Sequence, residues 1–104
     1  MSNSEIIKGE WWERVFTFLD ENVASDPNVV KFGVETPAGT ETVYEFGVGT
    51  TVSKIGTGQY KVRLQFDGEV GAHRWTMGAT WSSPAGVVQV QGVVQVAPAY
   101  VDVV

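Results

Sequence analysis

The sequence predicts an all-β domain of sandwich or barrel type, on three observations. Runs of alternating apolar and polar residues recur, glycine- and proline-rich turn signals separate them at roughly 8–14-residue spacing, and little room remains for a helix of any length. The clearest run is "YKVRLQF": Tyr60, Val62, Leu64 and Phe66 face one way, and Lys61, Arg63 and Gln65 the other. Strict alternation of this kind marks a strand with one buried and one wet face.

The first element, "GEWWERVFTFLDEN", is ambiguous by periodicity alone. Trp11, Trp12, Val15, Phe16 and Leu19 fit one helical face, whereas period two separates Trp12, Phe16 and Phe18 from Trp11, Val15 and Leu19. Trp, Val, Phe and Thr favour pleated surfaces, and a lone helix ahead of a run of strands is topologically awkward, so a strand is predicted. Adjacent residues of a strand face opposite sides, so Trp11 and Trp12 cannot enter the same core. Trp12, Phe16 and Phe18 are assigned to the core, and Trp11, Val15 and Leu19 to an edge or a neighbouring molecule.

The remaining elements follow in order. "NVVKFGVE" places Val30, Phe32 and Val34 on one side, and Pro37 with Gly39 turns the chain. "TVYEFGV" aligns Tyr44, Phe46 and Val48, and "TTVSKIGTG" is a β-branched run ending in a glycine turn. After Tyr60–Phe66 and the turn "DGEVG", "AHRWTMGATW" puts His73, Trp75, Met77, Ala79 and Trp81 on one face. "SSPAG" turns into "VVQVQGVVQV", with Val88, Val90, Val94 and Val96 opposite Gln89, Gln91 and Gln95. Together these make about seven antiparallel strands, a typical count for an immunoglobulin-like sandwich. The expected organisation is an N-terminal extension over 1–9, a sandwich over 10–97 and a tail over 98–104. Pro98 ends the last strand, and the apolar tail beyond it needs a neighbour.

Composition narrows the function. A chain of 104 residues is expected to be one domain with its own core. The absence of cysteine excludes disulfides and thiolate zinc sites. The N-terminus does not read as a signal peptide, and no apolar run approaches the roughly 20 residues of a membrane span, so synthesis in the cytoplasm and no membrane partner are expected. A net charge of −5 argues against a nucleic-acid partner. Residues 1–52 hold nine acidic and three basic side chains, and residues 53–104 three and four.

No catalytic constellation emerges, and no enzyme activity, metal or cofactor is expected. The single histidine, His73, starts a strand on its apolar side, the position of a structural histidine. Glu41 with Glu45, and Asp67 with Glu69, are carboxylate pairs without an apolar environment to separate their roles. Asp20, Glu21, Asn22 and Asp26 form an oxygen-rich loop that lacks EF-hand spacing. "GVG" and "GTG" precede strands, not the helix N-terminus a phosphate loop requires. Four tryptophans leave open a glycan platform of exposed indoles.

From Pro27 to Val96 the chain resembles the small immunoglobulin-like virion proteins of tailed bacteriophages, encoded among head and head–tail genes. The resemblance is carried by Asp26-Pro27, "VVKFGVETPAGT", "VSKIGTGQYKVRLQFD", the glycine turn into "HRWTMGA" and the closing valine strand, with "WWERVFTFLDENVASDP" resembling the strand ahead of them. His73 stands where that group usually has an aromatic residue. Gly58 to Val62 echoes the tyrosine-corner pattern, with Val62 in place of a cysteine. The resemblance implies a virion-located capsid decoration, cement or minor head protein, or alternatively a head–tail connector or tail-associated protein; a non-catalytic glycan-binding module is the other alternative. Implied partners are capsid, neck or tail proteins contacted in many symmetric copies. Candidate contact residues are Trp11, Val15 and Leu19, then Gln89, Gln91 and Gln95, then Tyr100, Val101 and Val103.

Overall fold

The computed structural model describes residues 2–82 and 85–98, which are all-β and contain no helix. The strands are β1 (Ser2–Ile7), β2 (Trp11–Thr17), β3 (Leu19–Asp20), β4 (Val23–Ala24), β5 (Val29–Glu35), β6 (Glu41–Glu45), β7 (Val52–Gly56), β8 (Gln59–Gln65), β9 (Gly71–Ser82) and β10 (Ala85–Ala97). They form a five-stranded sheet, β1-β10-β9-β5-β6, a three-stranded sheet, β2-β8-β7, and the small hairpin β3-β4.

The two larger sheets share one aromatic core. Trp12 of β2 stacks on Phe32 of β5, with ring centroids 5.7 Å apart, and lies 5.7 Å from Trp75 of β9. Phe16 meets Trp75 edge-on at 5.4 Å. The alternation in the sequence produces this directly. Val30, Phe32 and Val34, then Tyr60, Val62 and Phe66, then His73, Trp75, Met77 and Ala79 are all buried. The opening segment is a strand, and Trp12, Phe16 and Phe18 fill the core while Trp11, Val15 and Leu19 are exposed. Burying aromatic rings of this size supplies most of the hydrophobic driving force of a small domain.

Four expectations need correction. First, Ser2–Ile7 is not peripheral: it forms β1, with Ile6 packed against the core. "SNSEII" has too few apolar residues to show an alternating pattern, because an edge strand needs only one inward side chain here. Second, β1 runs parallel to β10, pairing Ser2 with Gly92 through Ile7 with Ala97, so the strands are not all antiparallel and outnumber the expected seven. Third, Val48 does not continue the inward face of Tyr44, and Phe46, though exposed, still meets the buried Tyr60 edge-on at 5.2 Å. Gly47 and Gly49 take φ of 94° and 76°, ending β6 at Glu45 and leaving both side chains exposed. Fourth, Val88 and Val90 share the inward face with Val94 and Val96, yet only the latter two are buried.

The oxygen-rich loop divides into two features. Glu21 and Asn22, with φ of 50° and 65°, make the two-residue turn between β3 and β4, the paired left-handed conformation that suits a tight hairpin. Asp26 ties separate segments together: its carboxylate accepts from Lys54 Nζ at 2.6 Å and from the Gly58 N–H at 2.7 Å. The Lys54 hydrogen bond, then the Gly58 N–H, hold the Asp26 carboxyl below its ordinary value of 3.8. A depressed folded-state value means this contribution to stability is present above pH 3.8 and is lost as pH falls through the folded-state value. The same pair raises Lys54 above 10.5, so its contribution is also lost as pH rises past that value. Urea midpoints measured between neutral pH and pH 3 should therefore fall more steeply for the wild type than for Asp26→Asn. Parallel curves would show that Asp26 does not anchor this junction.

Candidate functional site

The exposed apolar residues of β2 sit on the outer face of the three-stranded sheet. Antiparallel pairing with β8 places Trp11 opposite Gln65, Glu13 opposite Arg63 and Val15 opposite Lys61. Trp11 is 51% exposed, and the Arg63 guanidinium lies 4.1 Å from its ring centroid. Glu13 holds the neighbouring cations from below, with Oε2 at 3.5 Å from Arg63 Nε and Oε1 at 3.8 Å from Lys61 Nζ. All these groups are partly exposed, so the ion pairs orient the side chains more than they stabilise the fold. Beside Trp11 an open groove of about 520 Å³ runs past Ser53, Arg63 and Asp67 to Tyr44. Only Trp11 and Val15 of this face were legible as contact candidates; the partners from β8 required the strand register, which alternation alone does not give.

The other candidates lie elsewhere. Leu19 belongs to β3 and lines a separate groove with Trp81, Gly86 and Val88. Gln89, Gln91 and Gln95 are exposed on the outer face of the five-stranded sheet, away from Trp11. Gln89 lines an open groove there with Lys31, Glu41 and Arg74. Tyr100, Val101 and Val103 fall outside the described residues. The six candidates among the described residues therefore do not form one site.

Several groups with chemical potential make structural contacts. His73 is buried, with Nδ1 3.2 Å from the Gly71 carbonyl oxygen and its ring edge-on to Phe66 at 5.1 Å. Glu45 lies 3.8 Å from Lys31, and Glu69 accepts from the Ala38 N–H at 3.3 Å. Trp81 donates from Nε1 to Ser25 Oγ at 3.2 Å. Among the described residues no group of three His, Cys, Asp or Glu side chains is placed to hold a metal ion, and no buried side-chain polar atom lacks a hydrogen-bond partner. No helix of the described chain is long and apolar enough to cross a membrane.

A sugar ring would need a bare indole face, and Arg63 already covers one face of Trp11. Tryptophan and arginine are both residue types enriched at protein–protein hot spots. No protein-family model matches the chain, and no curated protein sequence matches it significantly.

Proposed function

We propose that the protein is a non-catalytic structural component of a tailed-bacteriophage virion, an immunoglobulin-like module that binds the assembled head as a decoration or minor head protein. The strand order supports the immunoglobulin-like reading: β2-β8-β7 and β10-β9-β5-β6 run in the same order as the B-E-D and G-F-C-C′ strands of such a sandwich. The observation that carries the functional reading is the outward Trp11 and Val15 on β2, two large apolar side chains held on a rigid sheet and flanked by Arg63. A symmetric shell repeats one such contact at every equivalent position, so a single docking face accounts for many copies per particle.

The test is mass spectrometry of purified particles of the phage encoding the chain. The protein should be present in many copies, and a Trp11→Glu/Val15→Glu variant should fold normally yet be lost from particles. Absence of the wild-type protein from particles would overturn the assignment. Retention of the variant would overturn the docking face alone.

A further inference from the structure

β10 is thirteen residues long, but β1 pairs only with Gly92–Ala97. Ala85 to Gln91, seven residues, has β9 on one side and no strand on the other among the described residues. Alternate residues of such an edge direct their N–H and C=O groups outward, ready to template another strand. Natural sheets usually guard such edges with charge, proline or a bulge. The other edges here follow that rule: β6 carries Glu41 and Glu45, β2 carries Glu13 and Arg14, β1 carries Glu5, and β7 carries Lys54 and a register irregularity between Lys54 and Gly56. "AGVVQVQ" carries no charge, no proline and no irregularity in its pairing with β9.

We infer that this open edge is a self-association site, pairing antiparallel with the same segment of a second copy about a two-fold axis at Val88. A chain of net charge −5 repels itself over most of its surface, whereas this edge strand carries no charged residue of its own, with Asp20 of β3 an acidic group close beside Ala85–Val88. The segment is self-complementary in that register. Val88 faces Val88, Gly86 faces Val90, Val87 faces Gln89 and Ala85 faces Gln91, so inward residues meet inward residues and outward meet outward. Pairing also covers Val88 and Val90, which are 38% and 37% exposed although they lie on the core face, and Val87, which is 69% exposed. The slot and its occupant match in length, since β1 bounds the segment at Gly92 and the strand begins at Ala85. The product is a closed dimer with one continuous sheet of two five-stranded halves. This inference does not depend on the virion assignment.

Sedimentation equilibrium of the purified full chain tests it. Between about 1 µM and about 1 mM the weight-average mass should rise from 11.3 kDa towards twice that value, as a small edge interface gives a reversible dimer. In the double variant V87K/Q89K the substituted side chains are solvent-facing in the monomer but lie opposite one another across the pairing. It should keep the wild-type circular dichroism spectrum and remain monomeric throughout. T42K, which adds charge at the β6 edge, should dimerise like the wild type. A wild-type chain that stays monomeric at about 1 mM, a dimer that persists in V87K/Q89K, or open-ended growth beyond two copies would each overturn the two-fold edge pairing.

Discussion

Replacing Trp75 with alanine should lower the unfolding free energy by about 3–5 kcal/mol, the range for deleting a buried large aromatic side chain. Trp75 is 2% exposed and sits where the sheets meet, with ring centroids of Trp12, Phe16 and Phe32 at 5.7, 5.4 and 6.0 Å. The Arg14 guanidinium adds a contact 5.2 Å from its ring. Removing the indole leaves a void that these rings can only partly fill, because they are fixed to strands β2 and β5, each paired within its own sheet. A small domain has only about 5–15 kcal/mol of stability to lose, so the variant should melt roughly 15 °C or more below the wild type. Trp11→Ala is the matched comparison. It removes an exposed ring and one cation–π contact, worth about 0.5–1 kcal/mol. Urea unfolding followed by near-ultraviolet circular dichroism measures both. Equal losses at Trp11 and Trp75 would contradict the assignment of faces.

That contrast shows what patterning conveys and where it stops. Period-two alternation separated Trp12 from Trp11, and Trp75 from Arg74, because a strand converts sequence parity into sidedness without reference to the rest of the fold. The same rule grouped Val88 with Val94 correctly by face but could not say that Val88 stays partly exposed while Val94 is buried. How far one sheet extends over another depends on long-range packing and leaves no local mark. β1 escaped notice for a related reason: its pairing with β10 spans almost the whole chain, and "SNSEII" has neither the length nor the alternation to announce a strand. Tyr44, Phe46 and Val48 share parity, yet β6 ends at Glu45 and Gly47 and Gly49 take left-handed conformations, so parity no longer fixes the side beyond Tyr44. Glycines in "GVG" were readable as a turn, but the exact residue at which the strand ends was not.

The candidate site was legible to a similar depth. Adjacent tryptophans in a strand force one outward, so Trp11 as a surface group follows from covalent geometry. The arginine that braces it is 52 positions away and enters only through the β2–β8 register. Charge absence at the β10 edge was visible in "AGVVQVQ", whereas its lack of a neighbouring strand among the described residues was not. Unpaired edges are properties of topology, and topology is where sequence parity gives no information.

Gly58→Ala should be the most damaging single-methyl substitution among the turn glycines, costing roughly 2–4 kcal/mol. Gly58 has φ of +69°, a conformation that costs an L-residue about 1–2 kcal/mol. Space is as restrictive as the dihedral. A Cβ there would stand 2.7 Å from the Phe18 carbonyl oxygen, 2.8 Å from the Ser25 nitrogen and 3.0 Å from the Ser25 oxygen, all backbone atoms. The backbone cannot shift away easily, since the Gly58 carbonyl accepts from the Phe18 N–H at 2.7 Å and its own N–H donates to Asp26. Losing either bond strands a buried peptide group. Gly9 provides the control: its φ is +97°, but nothing lies within 4 Å of a Cβ, so Gly9→Ala should show only the conformational cost of about 1–2 kcal/mol. Urea midpoints at one pH compare the two directly, and a Gly58→Ala loss no larger than that of Gly9→Ala would mean the close approach is absent. The "GTG" motif then has a structural meaning: its second glycine is where the end of β2, the segment after β4 and the β7–β8 turn come within hydrogen-bonding distance, and a side chain would push them apart.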